Sequence, residues 1–215
     1  MRKPLMLGGS IMLLATLPAA VAMPAPKPVW TVTRTTDPIT GATSCVVAAY
    51  DKAAGMSFSR TGAIYPFVEN SSIHGILVGV SSGGRIRLPT GDIVWRVDDR
   101  PFRTLRAADN PPGAAGTVAS PDDPAMKQLI EQQMKLVAAA TATSTVAAGA
   151  LATEMLQEML GGKGLVYRAA AASVSYGLPD GQRGAVGQYT KDGLRPYPLD
   201  ASFREGLAAC GIAVE

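Results

Sequence analysis

The chain has 215 residues, with 20 Lys+Arg, 17 Asp+Glu and one histidine, for a formal net charge of +3. So even a balance excludes the dense positive surface that nucleic-acid binding requires, and one histidine with two cysteines argues against a metal centre. Hydrophobic residues make up 47%, the content of a folded domain and not of a disordered chain.

Residues 1–22 read as a secretory signal peptide: Met1-Arg2-Lys3 is a basic start, residues 5–17 are apolar, and Ala20-Val21-Ala22 is a small-x-small cleavage site. The apolar stretch is well short of the ~20 residues that span a bilayer, so cleavage is expected after Ala22 with no stable membrane span remaining. The expected location is periplasmic or secreted. Loss of Arg2 and Lys3 leaves 18 basic residues against 17 acidic ones. Arg85, Arg87, Arg96, Arg100, Arg103 and Arg106 are interleaved with Asp92, Asp98, Asp99 and Asp109, which reads as a mixed, solvated face. Secretion into an oxidising compartment predicts a disulfide between Cys45 and Cys210, with two separately buried thiols as the alternative.

In chain order, residues 23–28 form a Pro/Ala-rich leader and residues 29–104 a β-rich half. Trp30-Thr31-Val32-Thr33-Arg34 alternates as a half-buried strand does, Asp37-Pro38-Ile39-Thr40-Gly41 is turn chemistry, and residues 45–50 read as the returning strand. Short β-rich runs follow at 56–59, 63–68, 73–80, 85–88 and 92–97. In the last, Ile93, Trp95 and Val97 share one face, which is expected to be buried.

Residues 105–120 read as a linker, and residues 121–162 as a helical pair. Ser120 is the expected N-cap, with Pro121 at the first helical position. Met126, Leu129, Ile130, Gln133, Met134 and Val137 follow at helical spacing. A bend at 141–145 and a second helix over 146–160 are expected, with Leu151, Met155, Leu156 and Met159 buried. The methionines are read as the pair's own core, with an adaptable partner-binding groove as the alternative. Residues 163–215 supply further strands and a last helix over 200–209, capped by Asp200 or Ser202. The pattern predicts an α+β fold: an antiparallel β-sheet or sandwich with an inserted helical pair and a short C-terminal helix.

No catalytic motif stands out. Ser81-Ser82-Gly83-Gly84 reads as a hairpin turn followed by a strand and lacks the lysine and helix of a phosphate loop, so no cofactor is expected. His74, read within an apolar strand, is expected to be structural. A hydrolase would have to draw on Glu69, Asp92 and His74, and a small-molecule or glycan binder on a groove near Trp95. The leading expectation is a non-enzymatic protein that binds another envelope or extracellular protein. Arg96, Asp98, Arg100 and Arg103, where a strand runs into a polar loop, are the candidate binding residues.

Trp30 in a first strand, Cys45 soon after, Ile76-Leu77-Val78-Gly79-Val80, Arg87-Leu88-Pro89-Thr90-Gly91, Trp95-Arg96-Val97-Asp98 and the stretch from Leu199 to Cys210 together resemble the β-rich periplasmic proteins of the invasion-associated locus B class. That resemblance implies a non-enzymatic β-sandwich protein concerned with host or surface interaction, and it supplies no catalytic residues. The segment 120–160 has no counterpart in that pattern.

Overall fold

The computed structural model describes residues 28–49, 64–83, 87–112, 124–169, 185–186, 188–190 and 193–214. The segment read as a signal peptide, most of the leader, the run at 56–59, the helix start at 120–123 and the stretch 170–183 lie outside them.

The first sheet contains β1 (Thr31–Thr36), β2 (Thr43–Ala48), β3 (Ile64–Ser71), β4 (Gly75–Ser82) and β7 (Ser144–Ala148), in the order β1-β2-β3-β4-β7 and antiparallel throughout. The second contains β5 (Ile93–Val97), β6 (Arg103–Leu105), β8 (Gly164–Ala169) and β12 (Tyr197–Pro198) in the order β12-β8-β5-β6, with β9 (Ala185–Val186) also paired to β8. A small hairpin joins β10 (Gln188–Thr190) to β11 (Gly193–Arg195). The helices are α1 (Pro124–Thr141), α2 (Gly149–Leu160) and α3 (Ala201–Ala209). This is the α+β class that the order of strands and helices predicts.

Period-two alternation decides which side chains meet between the sheets. Val47, Val68, Val78 and Val80 of the first sheet share one core with Ile93, Trp95, Val97, Leu165 and Tyr167 of the second. Met155 and Met159 of α2 and Phe203 and Leu207 of α3 complete that core. The Ile93-Trp95-Val97 face is wholly buried, as the alternation predicts. Gly79 permits the closest approach in the first sheet: an added Cβ there would overlap the Thr145 carbonyl oxygen and lie 2.8 Å from Val146 Cα.

The first described strands close on the last described helix. Trp30 packs on Phe203 with ring centroids 4.8 Å apart, and its indole N–H donates to the Pro198 carbonyl at 2.6 Å. Asp200 is the α3 cap, accepting from the Ser202 and Phe203 N–H groups. The Cys45–Cys210 disulfide joins β2 to the end of α3, with the two Cα atoms 5.4 Å apart. Asn70 donates to the Cys210 carbonyl at 2.9 Å on the adjoining strand.

Three expectations are corrected. Residues 144–148 form β7 and not the start of a helix, so a strand separates α1 from α2. Thr145 and Val146 are β-branched and stiff, and pairing with β4 outweighs the helical preference of the flanking alanines. Arg87 and Leu88 lie outside any strand, and nearby Thr90 bonds through its N–H and hydroxyl to the Ala142 carbonyl. His74 occupies the β3–β4 turn, where the Ser71 hydroxyl accepts from the Ile73 and His74 N–H groups.

Candidate functional site

Three of the four charged candidates meet at one end of the second sheet. Asp98 follows β5 with a φ of 48°, a conformation that Asp tolerates better than most residues. It places the carboxylate over the start of β8, where Oδ2 accepts from Lys163 N at 2.9 Å and Oδ1 from Gly164 N at 2.8 Å. The Asp98 N–H also donates to the Gly164 carbonyl. Arg100 lies over the end of α2, its guanidinium 2.9 Å from where a Cβ on Gly161 would stand. Arg103 on β6 donates Nε and Nη2 to Glu158 at 3.1 and 2.7 Å and lies 3.2 Å from Glu154. The bond from Glu158 raises the Arg103 pKa above its ordinary value.

These side chains therefore clasp the 98–103 loop to α2 and to the entry of β8. Arg96, by contrast, projects from β5 into solvent, across from Val166 of β8. A charge-reversal test at Asp98 or Arg103 reads folding before it reads binding.

The hydrolase candidates are spread over both sheets. Glu69 accepts from the Ser44 hydroxyl at 2.6 Å on the first sheet, whereas Asp92 accepts from Ala107 N at 2.9 Å beside the second. Asp92 adjoins Gly91, whose carbonyl is bonded by Thr145 opposite Val80, while His74 adjoins Gly75 at the far end of the same β4 strand. Five residues of strand, about 17 Å, separate those points. Among the described residues no group of three or more His, Cys, Asp or Glu side chains is placed to hold a metal.

Trp95, the candidate contact for a glycan, is 0% exposed and stacks on Tyr167, so no ligand reaches its ring in this conformation. Its indole N–H is buried without a hydrogen-bond partner among the described residues. Tyr167 donates to the Ile64 carbonyl at 2.6 Å, and burial pushes its phenol pKa well above the ordinary value.

Two surfaces differ from the leading expectation, the helical one being its stated alternative. The first is α1, which buries none of its 18 residues. Lys127, Glu131 and Lys135 fall in one row on this helix, with Met126, Leu129, Leu136 and Val137 around the opposite side. Those four apolar side chains are about half to two-thirds exposed. The assignment of Met126 and Met134 to a buried core is corrected: among the described methionines only Met155 and Met159 of α2 are interior, and Leu151, also expected to be buried, is exposed. Unlike α2, which lies against β4 and β7, α1 makes its main contact with the short 3-10 turn Ala107–Asp109.

The second is the contrast between the two edges of the first sheet. At β7, the Asn110 side-chain amide acts as a surrogate strand: Oδ1 accepts from Val146 N at 2.9 Å and Nδ2 donates to the Ser144 carbonyl at 2.7 Å. At β1 every residue is exposed, and no described residue pairs with its outer side. Asn110 lies in the Asp-Asn-Pro-Pro stretch read as linker, and only its place in three dimensions discloses its part in the sheet. No described helix is long and apolar enough to cross a membrane. Set against known proteins, the chain matches no protein-family model, no curated protein and no solved structure.

Proposed function

We propose that this chain is a periplasmic or secreted bacterial protein that acts by binding another envelope or extracellular protein through α1. The observation that carries the reading is the exposure of a whole amphipathic helix with its apolar side uncovered. Apolar surface gathered in one patch marks interaction sites, and thioethers such as Met126 and Met134 adapt to a partner's shape. The signal-like residues 1–22, the Cys45–Cys210 disulfide and the resemblance to the invasion-associated locus B class support the location and the non-enzymatic role.

Cross-linked capture from envelope extract tests this, comparing the parent chain with a Leu129→Glu/Leu136→Glu variant. Both positions are exposed, so the variant keeps its fold, a point checked by its thermal melt. Deleting 120–160 is unsuitable because it removes β7 and the buried Met155 and Met159. A partner captured in near-equal amount by the parent and lost from the variant is expected. Capture that is indifferent to the two substitutions, or no capture, refutes the reading. Mass spectrometry of the exported protein is expected to find Met23 as its first residue.

A further inference from the structure

We infer that the open edge of β1 pairs antiparallel with β1 of a second copy of this chain, joining two five-stranded sheets into one. Hydrogen bonds along an antiparallel pair alternate, which identifies the backbone groups that remain free. Asp37 N donates to the Ala42 carbonyl, and the β1–β2 register then makes Thr35–Ser44, Thr33–Val46 and Thr31–Ala48 the bonded pairs. The next interface agrees, since Ser72 N donates to Thr43 O and Ala49 N to Pro66 O, leaving the even-numbered residues of β2 to face β1. The N–H and C=O groups of Val32, Arg34 and Thr36 accordingly point away from the sheet. Trp30 N points the same way and is already taken by the Ser202 hydroxyl at 3.2 Å.

An unpaired row of this kind is a template for another strand. The protein closes its opposite edge with Asn110 but leaves this one bare among the described residues, with neither proline nor acidic residue in Thr-Val-Thr-Arg-Thr-Thr. The strand is also held in place: Arg34 donates to the Ala209 carbonyl, Val32 lies beside Gly206 of α3, and β2 is fixed by the disulfide.

Geometry then selects both the occupant and the register. Facing groups come only from even-numbered residues, so an even residue must oppose an even residue of the second copy. Setting Arg34 against Arg34 of the second copy opposes like charges, which destabilises a sheet. Of the two neighbouring registers, the one that sets Arg34 against Thr36 also brings Pro38, which has no N–H to donate, opposite Val32; the other sets Val32 against Arg34 and Arg34 against Val32. Thr33 then meets Thr33 of the second copy at a non-hydrogen-bonded position, with Thr31 across from Thr35, and facing threonines are a favourable cross-strand pair. This strand is self-complementary in that register, which is why a second copy is the occupant assigned here.

Sedimentation velocity on the full chain with its native disulfide is expected to show reversible association to twice the monomer mass. Thr33→Lys, at an exposed position, is expected to weaken association about tenfold or more by opposing two cations. Thr33→Cys provides an independent reading, because the two Cα atoms stand about 4.5 Å apart at such a position, within reach of a disulfide. Oxidation is expected to give a covalent dimer from Thr33→Cys and not from Thr35→Cys, with Cys45–Cys210 confirmed intact by peptide mapping. A monomer at all concentrations, an association unaffected by Thr33→Lys, or equal cross-linking at position 35 overturns the inference.

Discussion

Replacing Asp98 separates a structural clasp from a binding surface. In Asp98→Ala two acceptor bonds, to Lys163 N and Gly164 N, are lost, each contributing about 1 kcal/mol to stability. Lys163 is exposed, so water replaces its bond at small cost, while Gly164 is buried and its N–H loses its partner. The backbone at φ 48° adds a further cost, because a left-handed conformation disfavours alanine by about 1 kcal/mol or more. The total is about 2–3 kcal/mol, equivalent to a melting point lower by about 5–10 °C in a domain of this size. Asp98→Asn keeps one acceptor and a side chain tolerant of that φ, so it is expected to cost about 1 kcal/mol. Asp98→Gly loses both acceptors but relieves the backbone, and falls between the two. Urea unfolding read by tryptophan fluorescence, with the m-value held constant across the series, gives the ranking. An alanine variant within about 0.5 kcal/mol of the parent, or a glycine variant less stable than the alanine one, would refute the clasp.

Three other outcomes follow from the core and its ties. Gly79→Ala forces a Cβ into the Thr145–Val146 backbone and is expected to cost about 3 kcal/mol or more, read as loss of soluble, cooperatively melting protein; a normal melt contradicts the close approach. Cys45→Ser opens a bridge across 165 residues and is expected to cost about 2–5 kcal/mol in denaturant titration, with an unchanged midpoint as the contrary result. Burial raises the phenol pKa of Tyr167 and of Tyr197, so the folded state holds those protons more tightly than the unfolded chain does. Stability is therefore full below the unfolded value of about 10 and falls as pH rises beyond it. Tyr167→Phe is expected to flatten that fall while costing about 1–3 kcal/mol at neutral pH, because the Ile64 carbonyl loses its donor; an equally steep alkaline loss would remove Tyr167 as its source.

Local chemistry accounts for what the sequence discloses. Asp37 accepts from Ile39 N and Thr40 N and so builds the β1–β2 turn, with its pKa lowered chiefly by the Ile39 N–H, and the same residues had signalled a turn. Alternation placed the Ile93-Trp95-Val97 face inside, and Asp200 was legible as a cap. Long-range placement was not legible. Nothing local distinguishes the exposed apolar stripe of α1 from the buried one of α2, because an amphipathic period specifies a face and leaves its partner unnamed. Ser144–Ala148 became a strand because β4 offered Gly79 as a gap into which its backbone fits. Asp98 and Arg103 resembled a solvated loop until Gly164 and Glu158, some sixty residues later in the chain, came to meet them.

The joining of Trp30 and Cys45 to Phe203 and Cys210 has a consequence for the order of events in the life of the chain. Synthesis proceeds from the N-terminus, yet β2 meets its covalent tie only 165 residues further along the chain. Until residues 203–210 are made, the core that Trp30, Val47 and Trp95 share with Phe203 and Leu207 has no complete enclosure. α3 is thus a latch, and closure of the core waits on the synthesis of residues 201–210.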